Sequence, residues 1–288
     1  MFLEIIYSVC FLALVIGTYT DFKTREVPDW LNFSLIASGL GIRLIYSATE
    51  MNWSYIINGL YGFGVFLVLA MIMFYTGQWG GGDSKMLMGL GALIGLEISL
   101  DSFLVGFVIN VLIIGAVYGL LYSLYLTIRN WKKFVNAFGK IFSKKPYSLI
   151  RKIVLILCVI LLGSMIFIEE TSLRLTMFSL AVILFLSYYL WIHVKIIERI
   201  AMHKYVNPEE LTEGDWIVNE VKVDGKYICG PKDLGVEKNQ INKLIRLKRL
   251  GKIKRILIKE GIPFVPSFLT AFIVTYIYGN IIFLILMI

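Results

Sequence analysis

Residues 55–85 read YIINGLYGFGVFLVLAMIMFYTGQWGGGDSK. From Tyr55 through Tyr75 there is no Asp, Glu, Lys or Arg. An uninterrupted apolar run of this kind predicts a membrane-crossing helix, because about 20 helical residues cover the hydrocarbon core of a bilayer. The next ten residues have the opposite character. Gly80, Gly81 and Gly82 lead into Asp83 and Lys85, so the chain leaves an apolar medium and at once presents backbone and charge.

The same alternation runs through the rest of the chain. Apolar runs occupy residues 2–20, 30–46, 55–75, 86–96, 103–128, 153–168, 173–197 and 264–288. Of the 288 residues, 58% are apolar and 17% charged, with a mean hydropathy of +0.78. A soluble domain carries about 25% charged and about 45–50% apolar residues, so a water-soluble body is excluded as the main part. The expected fold is an all-α polytopic membrane protein of about eight transmembrane helices. Six or seven result if the short run 86–96 or the run containing Arg43 does not cross fully. The expected division is a membrane core at 1–128, a basic cytoplasmic loop with an additional helix pair at 129–197, a small cytoplasmic α+β module at 198–262 and a last transmembrane helix at 263–288. Within the module, residues 218–223 alternate loosely. Asp224 and Gly225 form a hairpin turn, 226–229 return, and 242–250 have helical periodicity.

The net charge of +8 comes from 28 Lys and Arg against 20 Asp and Glu. Its distribution is informative. Residues 129–152 hold Arg129, Lys132, Lys133, Lys140, Lys144, Lys145, Arg151 and Lys152 with no acid. Lys23 and Arg25 come just after the first run, and bases outnumber acids between 195 and 263. The intervening connections carry Glu50, Glu97, Asp101, Glu169 and Glu170. Basic connections alternate with acidic ones, which is the positive-inside pattern for a protein with both ends outside. The positive balance therefore reads as topology and as contact with anionic lipid; no nucleic-acid partner is expected. Cys10, Cys158 and Cys229 are far apart and only His193 and His203 add imidazole, so neither a metal nor a cofactor is expected.

On this topology Asp21, at the end of the first run, and Asp83, at the start of the fourth, lie at the same cytoplasmic edge. Carboxylates at membrane depth are functional suspects. Two brought close can share a proton, so that one activates water while the other donates to a carbonyl. The alternative is a pair of interfacial charges beside Lys23 and Lys85. Asp29 is a candidate helix cap before Trp30, and Trp79 is a candidate site lining or interface anchor.

Gly80-x-Gly82-Asp83 resembles the GxGD motif of membrane aspartic proteases. The segments Thr20-Asp21-x-Lys23-x-Arg25-x-Val27-Pro28-Asp29-Trp30, Gly80-Gly81-Gly82-Asp83-x-Lys85 and Gly261-Ile262-Pro263-Phe264-Val265-Pro266-Ser267-Phe268 are similar to the archaeal prepilin and preflagellin peptidase family. The resemblance covers about residues 1–125 and is weaker through 126–260. It implies a membrane aspartic endopeptidase that removes the short basic leader of type IV pilin-like or archaellin precursors. Asp21 and Asp83 would be catalytic, supported by Gly80, Gly82, Lys23, Arg25 and Lys85. Bacterial relatives with a paired-cysteine zinc insertion also methylate the new N-terminus; this chain lacks those cysteines, so no methyltransferase activity is expected. The competing readings are a presenilin- or signal-peptide-peptidase-like intramembrane protease and a membrane transporter.

Overall fold

The computed structural model describes residues 1–97, 99 and 102–286. Asp101, expected beside Glu97 on the outer side, lies outside them. The chain is a mostly helical, polytopic membrane protein. In chain order the first eight helices are α1 (Phe2–Thr24), α2 (Asp29–Thr49), α3 (Ser54–Tyr75), α4 (Gly81–Ile94), α5 (Phe103–Arg129), α6 (Trp131–Phe142), α7 (Lys145–Ser164) and α8 (Thr171–Ile197). Among the described residues, six helices are long and apolar enough to cross a membrane: α1, α2, α3, α5, α7 and α8. On α7 only Cys158 is buried; its exposed apolar surface needs lipid as solvent.

By contact the chain divides into two compact units, Met1–Tyr122 with Val206–Ile288, and Ser123–Tyr205. In the first, α4 is the inner element. Its 14 residues span roughly 21 Å, less than the hydrocarbon core of about 30 Å. It is surrounded instead: Met86, Leu87, Leu90, Leu93 and Ile94 are all buried. It packs against α1, α2 and α3. The α3 crossing is made by two glycines. A Cβ on Gly91 would lie 2.5 Å from the Gly62 carbonyl oxygen, and one on Gly62 would lie 2.2 Å from that of Gly91. Small residues at a crossing let backbones approach, which is how membrane helices gain packing without a hydrophobic driving force.

Before the last run lies a small α+β region, with β1 (His203–Val206), β2 (Trp216–Ile217), β3 (Val221–Val223), β4 (Lys226–Cys229), α9 (Lys238–Arg249) and β5 (Ile256–Lys259). β2 pairs antiparallel with β5, Trp216 opposite Lys259. β3 and β4 form the expected hairpin. Asp224 and Gly225 both take positive φ, 52° and 75°, as a two-residue turn of this hand requires. Ile217, Ile228, Leu244, Ile256 and Ile258 make its core.

The last run differs from the single helix expected at 263–288. It forms α10 (Val265–Tyr278) and α11 (Ile281–Leu286), broken at Gly279, where φ is 69°. Asn110 of α5 satisfies the break. Its amide nitrogen donates to Thr275 Oγ1 at 2.9 Å and to the Gly279 carbonyl at 2.8 Å, and its oxygen accepts from the Ile281 N–H at 3.1 Å. Irregular backbone at such depth persists only when neighbouring side chains pair it.

In the second unit, the stretch expected as a basic loop is largely helical. Phe134, Ala137, Phe138 and Ile141 recur at helical spacing and pack on Tyr188 and Ile192 of α8, while Lys132, Lys133 and Lys140 stay exposed. Charge density alone reads as loop; the apolar period beneath it makes α6 an amphipathic helix.

Candidate active site

The first acidic segment is built where α1 stops. Arg25 takes a left-handed conformation, φ 62°, and its N–H bonds to the Asp21 carbonyl at 3.0 Å. Pro28 then opens α2 in an extended conformation. The cap position expected of Asp29 is held by Pro28 instead, with no side-chain cap. Asp29 is the first helical residue, where a carboxylate suits the positive end of the helix, and it pairs with Lys85 at 2.6 Å.

The second segment is the N-terminus of α4. Asp83 is its third residue and accepts from the Gly80 N–H at 3.2 Å. Gly82 sits at a close approach: a Cβ there would lie 3.1 Å from the Val27 nitrogen and 3.2 Å from the Val27 Cβ. Asn32, fully buried on α2, donates to the Gly82 carbonyl at 3.2 Å. The segment after Asp21 thus lies directly on the glycine turn before Asp83, and the field of Asp21 reaches Asp83.

Asp21 is 4% exposed. One carboxylate oxygen accepts from the Val265 N–H, the first of α10, at 2.9 Å. The segment around Val265 therefore meets the end of α1 in space: a helix N-terminus points its unpaired donors at a carboxylate. Behind it, Phe264 and Phe268 hold Trp79, with ring centroids 5.8 Å and 5.3 Å away. Trp79 is 5% exposed, so it packs in the core and is no interface anchor.

The remaining expected residues divide. Gly80 and Gly82 shape the turn. Lys85 ties α4 to α2. Lys23 is exposed and lies 5.7 Å from the Tyr19 ring. Arg25 donates to the Tyr122 hydroxyl at 3.0 Å and bears electrostatically on Asp21. Sequence reasoning missed Asn32, Tyr118 and Tyr122. The available signal was a polar group inside an apolar run. Among the described residues no three or more His, Cys, Asp or Glu group as a metal site. A cavity of about 430 Å³ lies at the other end of α1, bordered by Phe2, Arg43, Asn58 and Glu97, away from both aspartates.

Residues 8–135 match the model described as the type IV leader peptidase family. The chain is similar to three preflagellin peptidases. It is 39% identical to that of Methanococcus maripaludis over 31% of this chain and 38% of the relative. For Methanococcus voltae the identity is 36% over 31% and 38%, and for Methanocaldococcus jannaschii 39% over 29% and 35%. The matched stretch thus spans well under half the length of these relatives. The family match over residues 8–135 contains the elements that carry Asp21 and Asp83, and over that stretch the chain is similar to the type IV leader peptidase family.

Proposed function

We propose that this chain is a membrane aspartic endopeptidase that removes the short basic leader of type IV pilin-like or archaellin precursors. Asp21 and Asp83 share one proton. The ionised member takes a proton from water as it attacks the scissile carbonyl, and the protonated member donates to the carbonyl oxygen. Collapse of the tetrahedral intermediate expels the new amine, which takes a proton from the pair. The roles belong to the pair, since coupled carboxylates titrate together. No methyl transfer is part of this reading. The observation that supports it most is the packing of two acidic helix ends at one place: Val27 on Gly82, with Asp21 in electrostatic reach of Asp83.

Both aspartates sit at helix ends on what the charge pattern makes the cytoplasmic edge. That is where a cytoplasmic leader joins a membrane-embedded segment. A transporter calls for its polar groups near the midplane, and a presenilin-like site would carry its first aspartate within a helix. The test is cleavage of a precursor by purified protein. Asp21→Asn and Asp83→Asn should each abolish leader removal, with protein still accumulating in the membrane. Full cleavage by either variant would remove the proposal.

A further inference from the structure

Among the described residues, four buried side-chain atoms have no hydrogen-bond partner in the protein: Thr18 Oγ1, Arg25 Nη1, Asn32 Oδ1 and the Tyr118 hydroxyl. All four lie around the two aspartates. Thr18 precedes Asp21 by three residues, so it shares its helix face. Arg25 comes four residues after Asp21, at the helix end. Asn32 gives its amide nitrogen to Gly82, beside Asp83. Tyr118 is within electrostatic reach of Asp21 and Arg25. Its ring lies 6.5 Å from Phe264, whose neighbour Val265 bonds Asp21, and 6.0 Å from Tyr122, which accepts from Arg25.

Buried polar groups are nearly always paired, and each exception calls for an explanation. Four exceptions at one place form a set with its own chemistry. Arg25 Nη1 can only donate, Asn32 Oδ1 can only accept, and the two hydroxyls can do either. That is the complement of a stretch of polypeptide backbone, whose carbonyls and N–H groups must find partners wherever water is scarce.

We infer that the Tyr118 hydroxyl and Arg25 Nη1 are a donor pair for a main-chain carbonyl of the precursor next to the bond that is cut. A carbonyl oxygen has two lone pairs, one for each donor, and the charged guanidinium supplies the stronger bond. Thr18 and Asn32 offer acceptors for the neighbouring N–H groups. The role adds substrate positioning to the aspartate pair and rests on the peptidase reading above.

The test compares wild type, Tyr118→Phe and Asp21→Asn as purified full-length protein. The probe is a synthetic precursor carrying a basic leader and the hydrophobic segment after it. Tyr118→Phe should raise KM roughly tenfold, the weight of one hydrogen bond, and leave kcat nearly unchanged. Its unfolding temperature should not fall, because the hydroxyl has no partner in the protein to lose. An unchanged KM overturns the inference. So does a lowered unfolding temperature with a matching loss of kcat, which marks a structural tyrosine. Cleavage at the wild-type rate by Asp21→Asn is a separate outcome: it removes the aspartate pair itself, and the inference with it.

Discussion

Each guanidinium nitrogen of Arg43 donates to a main-chain carbonyl: Nε to Leu93 at 2.9 Å, Nη1 to Tyr55 at 2.8 Å and Nη2 to Ile94. At 3% exposure, the one charge in the second apolar run caps the end of the short inner helix α4. In sequence Arg43 only blurs a hydropathy run; its purpose is visible once α4 is known to end against it. Asp215, in the α+β region, shows the reverse situation. Burial raises its pKa above the ordinary 3.8, the nearby charges of Glu26 and Glu260 raise it further, and the bond from the Thr212 N–H opposes them. The folded state therefore holds the proton more tightly than the unfolded chain. Stability falls as pH rises from about 4 through the raised value. Asp215→Asn keeps an oxygen for Thr212 and removes that dependence. The variant should melt higher than wild type at neutral pH, with the gap closing toward about pH 4. A gap that is constant across a pH series of melting curves would refute the assignment.

Among the elements, α4 owes its position to glycine. Gly91→Ala puts a methyl group where the Gly62 carbonyl and the Phe66 Cβ already stand, 2.5 Å and 2.8 Å away. Overpacking of this kind costs about 1–3 kcal/mol. Gly64, on the same helix as Gly62, has nothing within 4 Å of an added Cβ, and Gly64→Ala should gain about 0.5–1 kcal/mol through lower backbone entropy of the unfolded chain. Thermal unfolding in one detergent reads both; equal effects of the two would show that the crossing is not tight. Gly89, Gly91 and Gly95 within residues 86–96 are small residues of the kind that let membrane helices pack closely. Which glycine meets which neighbour is a matter of helix rotation and crossing, and α3 and α4 each carry several. α6 was missed because its lysines mask the 134, 137, 138, 141 period. The break at Gly279 was missed because Asn110, which pairs it, lies far away in the chain.

For the whole molecule, charge should set direction. Lys144 and Glu169 flank α7, one in a connection rich in bases and the other in an acidic one. Positive-inside bias predicts that Lys144→Cys reacts with an impermeant thiol reagent only from the cytoplasmic side, and Glu169→Cys only from outside. Labelling of both from one side would show that α7 does not cross, and the reverse labelling would overturn the proposed cytoplasmic placement of the aspartates.

Sequence by itself determined that this is a helical membrane protein, where most of its runs begin and end to within a few residues (α7 starts eight residues early and the last run is broken), and that Asp21 and Asp83 stand out. Those conclusions come from local properties: apolar length against bilayer thickness, and the desolvation cost of a carboxylate near lipid. Tertiary structure decided what surrounds the aspartates. The Val265 N–H reaches Asp21 across 244 positions of chain, Asn32 reaches Gly82 across 50, and Arg25 reaches Tyr122 across 97. Hydropathy carries no information about these partners. They arise because buried polar groups must find one another once helices pack, and only the packed helices say which are left without a partner.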